Sequence, residues 1–191
     1  MASESPIVAV VGDGTVAEGA PAYAIADRLG ERLVDAGFRV LTGGLGGIME
    51  AASRGAARSR AHGPASVVAL LPGHDPDDAN PYVDVALPTG LGHGRNTVVA
   101  HADAVVAIGG GAGTLSELAF AWIHRRLVVG FRVAGWSGRL AGTRVDDRVR
   151  FATIPDDQVF GVDTPEEAVA LLRARLPAYR EARRLLRAQA P

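Results

Sequence analysis

The chain has 191 residues, 48% of them hydrophobic, and a formal net charge of -1; that length suits one domain, residues 1–191, with a substantial core, and the balanced charge gives no electrostatic reason to expect nucleic acid or an anionic membrane as partner. The absence of cysteine excludes disulfides, thiolate nucleophiles and cysteine-ligated metals. All 20 residues of the lysine and arginine class are arginine, which excludes the Schiff-base lysine of a pyridoxal-phosphate enzyme, such as a lysine decarboxylase, and the lysine of a P-loop.

No apolar run is long enough to span a bilayer, and Met1-Ala2-Ser3-Glu4-Ser5-Pro6 lacks the basic and apolar regions of a signal peptide, so the expected compartment is the cytoplasm. In chain order, Ile7 to Val11 is a β-branched strand, Tyr23 to Ala36 has helical periodicity, and Arg39 to Leu41 begins a second strand after Gly37. A helix from Gly47 to Arg60 follows, then strands Ser66 to Leu71 and Val83 to Leu87, separated by a loop from Pro72 to Pro81 with proline and aspartate turn signals. Arg95 to His101 reads as a short helix, Ala104 to Ile108 as a strand, Thr114 to His124 as a helix and Leu127 to Phe131 as a strand. Residues 132 to 160 are rich in glycine and arginine, with a strand suggested only at Val149 to Ile154; a surface excursion, a lid and a partner-facing insertion all suit that composition. Thr164-Pro165-Glu166-Glu167 opens a helix with a capping box, and Tyr179 to Gln189 is helical with four arginines. Strands alternating with helices predict an α/β, Rossmann-like, doubly wound parallel sheet with helices on both faces, its ligand beyond the carboxyl ends of the strands.

Two glycine turns lie at such ends. Gly109, Gly110, Gly111 and Gly113 connect an apolar strand to a helix, a pattern that brings backbone N–H groups and the positive helix end to one point and so predicts a phosphate site, with Thr114 adding a hydroxyl. Gly43, Gly44, Gly46 and Gly47 form the second turn, flanked by Thr42 as a ligand donor and Met49 as an apolar wall. Glu117 has two readings. Thr114-Leu115-Ser116-Glu117 repeats the capping-box spacing, so Glu117 closes a cap; or, lying off a buried stripe of Leu115, Leu118, Ala119 and Trp122, it faces a ligand. Asp13, between Gly12 and Gly14, either hydrogen-bonds a ligand or makes an Asx-turn or a helix cap. The histidines show no metal-ligand spacing, so neither a metal nor a resident cofactor is expected; His93, beside Arg95, is a candidate proton donor.

Gly110-Gly111-Ala112-Gly113-Thr114-Leu115-Ser116-Glu117 resembles the GGxGTxxE signature of the LONELY GUY family, also labelled lysine-decarboxylase-like. Thr89 to Asn96, Ala102-Asp103-Ala104 and Gly43 to Met49 extend the likeness over residues 6 to 131. The resemblance implies a Rossmann-like homodimer or higher oligomer that binds a nucleoside 5′-monophosphate and cleaves its N-glycosidic bond to release base and ribose 5-phosphate. It also implies Arg95 and Glu117 as the catalytic pair, with Gly110, Gly111, Gly113 and Thr114 on the phosphate. Two positions depart from those enzymes: Gly109 where they carry proline, and Arg95-Asn96 where they carry Arg-Lys. Both departures resemble the molybdenum-cofactor-carrier-like subgroup, which reads GRN and GGGxGTxSE and implies a carrier of a phosphorylated pterin or nucleotide.

The hydrolase chemistry is coherent with these residues. Breaking a ribosyl C–N bond passes through an oxocarbenium-like transition state, which a carboxylate near the anomeric carbon stabilises. Glu117, kept ionised by its helix end, fills that role, with Arg95 orienting it or binding a ligand oxygen. The intact Arg95 and Glu117 pair tilts the expectation to a phosphoribohydrolase, with a non-catalytic carrier or sensor of a phosphorylated heterocycle as the alternative. A homodimer is also expected from the apolar Leu118, Phe120, Ala121 and Trp122, more than one helix face buries locally.

Overall fold

The computed structural model describes residues 5–188. Ile7 to Gly12 forms β1, where β-branched side chains alternate between two faces: Val8 and Val10 enter one apolar core, Ala9 and Val11 the other. The remaining strands are β2 (Arg39–Thr42), β3 (Val67–Leu71), β4 (Val85–Pro88), β5 (Ala104–Ile108), β6 (Leu127–Phe131) and β7 (Val159–Val162). They make one parallel sheet in the order β4-β3-β2-β1-β5-β6-β7. The direction of winding reverses between β1 and β5, where a ligand crevice opens in folds of this kind. This is the expected doubly wound α/β architecture.

Helices α1 (Pro21–Asp35), α2 (Ile48–Arg58) and α6 (Pro165–Ala188) cover the Val8 and Val10 face; α3 (Asn96–Val99), α4 (Ala112–Ile123) and α5 (Trp136–Leu140) lie on the other. α1 starts on Pro21, which already has the helical φ and lacks only an N–H that would go unpaired. It lies almost against α2, because a Cβ on Gly30 would stand 1.9 Å from the Ala52 carbonyl oxygen. At the start of α6 the predicted Thr164 cap forms, while Glu167 reaches back one residue beyond it. Thr164 Oγ1 accepts from the Glu167 N–H at 3.2 Å, and Glu167 Oε2 accepts from the Asp163 N–H at 2.9 Å. The two C-terminal helical stretches are one continuous helix through Pro177; Gln189 lies outside the described residues.

The expected strand at Val149 to Ile154 does not form; the seventh strand is Val159–Val162. Its β-branched pattern is overridden by Arg150, the buried second residue of the run. Nε and Nη2 of Arg150 donate to the two oxygens of Asp157 at 2.7 and 2.5 Å, and Nη1 donates to the Trp122 and Arg126 carbonyls. The guanidinium lies 3.5 Å from the centre of the Trp122 ring, and Tyr179 Oη donates to Asp157 at 2.5 Å. Burial, with the hydrogen bond to Asp157 added to it, holds the Tyr179 hydroxyl well above its usual range. Segment 141–158 is thereby tied to α4 and α6 instead of joining the sheet. Leu118, Ala121 and Trp122 are also spent here: each is at most 1% exposed, so they do not supply the external apolar face that sequence suggested for a dimer.

Removing Asp157 leaves a buried cation with no counterion. Asp157→Ala is expected to lower unfolding free energy by about 3–5 kcal/mol in urea titrations, and Tyr179→Phe by about 1 kcal/mol. A loss under about 0.5 kcal/mol for Asp157→Ala, the range of ordinary surface changes, would mean that the network does not hold this segment.

Candidate functional site

Between the carboxyl ends of β1 and β5 lies a crevice of about 260 Å³, bordered by Gly12, Asp13, Gly43, Met49, His93, Arg95, Asn96, Gly111, Gly113, Thr114 and Glu117. It draws on four separate stretches of chain, residues 10–14, 43–49, 93–96 and 111–117, and each reaches it for a local reason. The β5–α4 turn takes positive φ at Gly109 and Gly110, 63° and 88°, and a Cβ on Gly110 would fall 2.2 Å from Thr114 Oγ1. The turn is buttressed from behind. Ser137 Oγ accepts from the Gly109 N–H at 2.7 Å and donates to the Phe131 carbonyl, while the Trp136 and Ser137 N–H groups donate to the Gly110 and Gly109 carbonyls. Residues 132–140, unreadable in sequence, are thus neither a lid nor a bare excursion; they brace the glycine turn.

α4 begins at Ala112, with Gly111 as N-cap and no side-chain cap. Its first N–H groups have no intrahelical acceptor, and Gly111, Gly113 and Thr114 border the crevice, where a Cβ on Gly111 or Gly113 would meet nothing within 4 Å. The capping-box reading of Glu117 fails on this geometry, because Thr114 already lies inside the helix. Glu117 is also not off the buried stripe: Thr114, Glu117, Leu118, Ala121 and Trp122 are the buried positions of α4, whereas Leu115 and Ala119 are only partly buried.

Arg95 ends a 3₁₀ turn, Gly92–Arg95, that leads into α3. Its guanidinium reaches the crevice past Gly43, where a Cβ would stand 2.5 Å from Arg95 Nη2 and 2.7 Å from Met49 Sδ. The first glycine turn is therefore the seat of Arg95. Gly44, at φ 78°, donates its N–H to Thr42 Oγ1, and the Asn80 side chain donates to the Gly44 and Leu45 carbonyls. Thr42 is fully buried in this turn and does not face the crevice, contrary to its expected donor role. Gly44, Gly46 and Gly110 stand behind the crevice wall rather than on it. Gly12 admits the close approach of β1 to β5 and Ile48, and Asp13 makes the Asx-turn, accepting from the Thr15 N–H and hydroxyl at 2.8 and 2.7 Å while still lining the crevice. Those two bonds hold the Asp13 carboxyl below its usual range.

Arg95 and Glu117 are each 8% exposed, and Arg95 Nη1 lies 4.0 Å from Glu117 Oε1, too far for a hydrogen bond. Among the described residues, Arg95 Nε and Nη1 have no hydrogen-bond partner. Burial pushes the Glu117 carboxyl up to about 7, with Arg95 only partly opposing, and pulls the Arg95 guanidinium below its ordinary range. This corrects the expectation that the helix end keeps Glu117 ionised: Glu117 lies in the second turn, beyond the reach of that end, and desolvation wins.

Asn96, which the sequence marks only as a departure from an Arg-Lys pair, has a contact of its own. Its Nδ2 donates to Ser116 Oγ at 2.8 Å, and Ser116 Oγ donates in turn to the Gly113 carbonyl at 2.6 Å. The asparagine of GRN and the serine of GTxSE are therefore one contact, pinning the first turn of α4 beside Arg95. No group of three or more potential metal-ligating His, Asp or Glu side chains occurs among the described residues, and no helix is long and apolar enough to cross a membrane.

Residues 5–169 match the SLOG cluster4 family. An uncharacterized protein of Archaeoglobus fulgidus is 41% identical over 115 residues, 60% of this chain and 72% of that protein. Among solved structures, the molybdenum cofactor binding protein of Rippkaea orientalis is 31% identical with a TM-score of 0.70, covering 89% of this chain and 96% of that one. The molybdenum cofactor carrier protein of Chlamydomonas reinhardtii is 28% identical with a TM-score of 0.70, covering 91% and 99%.

Because the folded-state pKa of Glu117 is raised, the unfolded chain binds fewer protons between pH 4.5 and 7. The contribution of Glu117 is then fully present below about pH 4.5 and lost as pH rises through 7. Glu117→Gln should melt close to wild type at pH 5 and higher than wild type at pH 8, by an amount equivalent to about 2–3 kcal/mol. A melting difference independent of pH over that window would show that Glu117 titrates normally.

Proposed function

The chain belongs to the SLOG cluster4 family, and from that premise we propose that it holds a small phosphorylated heterocycle in the β1/β5 crevice and carries it without transforming it. The observation that carries this reading is Arg95: a buried guanidinium with two N–H groups unpartnered among the described residues, beside a helix N-terminus that borders the same crevice. Each buried unpaired donor costs about 1–3 kcal/mol, a cost that a ligand oxygen or ring nitrogen removes. A phosphate would sit on the backbone of Gly111 to Gly113 with Thr114, and Arg95, Asp13 and Met49 would meet the heterocycle or its linker. The similarity to proteins named as molybdenum cofactor binding and carrier proteins supports a phosphorylated pterin as cargo, and the orphaned N–H groups of Arg95 fit such a group.

One observation favours a second reading, the phosphoribohydrolase. A Glu117 carboxyl near 7 is present in both forms at neutral pH, so the protonated form can give its proton to the departing base while water adds to the anomeric carbon. Free base and ribose 5-phosphate would be the products. As a carrier or as an enzyme we propose a homodimer; Val98 on α3 and Ile123 on α4, 41% and 57% exposed, supply apolar surface that the chain itself does not cover. A monomer mass by light scattering at micromolar concentration would remove that part of the proposal.

Titration with nucleoside monophosphates and pterin monophosphates, followed by thermal shift and by chromatography of released base, tests both readings. Saturable binding is expected, with a gain of about 2.7 kcal/mol in stability at a hundredfold excess over Kd. Gly113→Ala, which adds a methyl group to the open mouth, should leave or raise the melting temperature of the free protein yet weaken binding about tenfold or more. No base release by wild type is the carrier outcome. Release over many turnovers, falling about a hundredfold or more in Glu117→Gln with affinity kept, would establish the hydrolase instead. Failure of every phosphorylated heterocycle to bind would end both.

A further inference from the structure

The amino ends of β5 and β6, opposite the crevice, carry a second concentration of unsatisfied charge. Asp103 immediately precedes β5 and Arg126 immediately precedes β6; α6 passes both with Arg180, Arg183, Arg184 and Arg187. Two hollows of about 240 and 290 Å³ lie there and share Arg126, Arg183 and Arg187 in their walls. The charges do not balance. Asp103 serves Arg180 at 3.1 Å, Arg183 at 3.3 Å and the Ile7 N–H at 3.0 Å, and Glu181 is taken by Arg184 at 2.8 Å. Among the described residues, the five guanidinium groups around the hollow that holds Asp103 thus meet two carboxylates, which leaves three positive charges, and Arg125 lines the adjoining hollow.

Arg126 is the informative member. It is 8% exposed, it makes no ion pair among the described residues, and its Nε finds no hydrogen-bond partner. Cations at the C-terminal ends of α4 and α6 offset the helix dipoles, which accounts for an exposed side chain such as Arg187. It does not account for a buried one that leaves a donor empty beside three other arginines. The crowding is felt at Arg183, which burial first and Arg126 next pull down to about 10.

We propose that this hollow is a second binding site, independent of the crevice, for a di- or triphosphate group. Three uncompensated charges match a polyvalent anion better than a single phosphate monoester, and planar guanidinium forks bond the oxygens of adjacent phosphoryl groups in pairs. The group comes either as free inorganic polyphosphate or as the phosphate tail of a nucleotide.

Isothermal titration at low salt with inorganic triphosphate, ATP and AMP tests this. Wild type is expected to bind triphosphate saturably, with affinity falling as sodium chloride rises. Arg187→Glu on the surface and Arg126→Met in the interior should each lower that affinity at least tenfold, while any AMP binding at the crevice stays unchanged. Equal affinities for triphosphate and ATP identify the phosphates alone as the ligand; ATP at least tenfold tighter identifies a nucleotide tail. Arg126→Met, which removes a buried unpaired charge, should keep or raise the melting temperature, and Arg187→Glu reads the site even where that variant fails to fold. Absence of saturable triphosphate binding in wild type, or unchanged affinity in Arg187→Glu, overturns the site, and neither outcome bears on the crevice.

Discussion

A buried ion pair that is too long to satisfy itself organises this protein. Arg95 and Glu117, both buried, face each other across 4.0 Å in the crevice, close enough to perturb one another and too far to share a proton. Burial therefore costs both charges more than their attraction returns, and the deficit shows as a carboxyl raised to about 7 and a guanidinium with empty donors. A fold evolved only for stability has little use for such a pair. A binding site does, because the ligand completes what the chain leaves open.

The surrounding architecture holds that deficit in place. Gly43 leaves room for the guanidinium, Asn96 and Ser116 fix the first turn of α4 against the segment that carries Arg95, and Ser137 with α5 braces the β5–α4 turn from behind. The parallel sheet brings these pieces to one point, since winding reverses between β1 and β5. The glycines divide accordingly. Gly12, Gly43, Gly44 and Gly110 are required by close approach or positive φ, whereas Gly111 and Gly113 look onto open space at the mouth of the crevice.

Most of the fold was legible, because β-branched runs and glycine turns are local signals: β5 and β6 coincide with the sequence reading, and the Thr164 cap forms as its spacing predicts. The failures share a cause. Arg150 within Val149 to Ile154 pairs with Asp157, stacks on Trp122 and reaches the Tyr179 hydroxyl through Asp157, tertiary partners that no periodicity encodes. Glu117 was misjudged in the same way. Its capping-box spacing was visible, but the helix starts two residues earlier than Thr114, and its burial beside Arg95 depends on a segment some twenty residues away. At Asn96 and Ser116 the motif letters were present, and only the fold showed that they touch.

The state of Glu117 in the free protein and its response to a ligand decide whether the buried pair is there for a ligand. A carbon-13 NMR titration of its carboxyl, in free protein and in protein saturated with a nucleoside or pterin monophosphate, reads both directly. The expected midpoint is near 7 in the free protein and is displaced once the ligand engages Arg95. A midpoint at the ordinary 4.5 in the free protein, unmoved by every phosphorylated heterocycle, would contradict it.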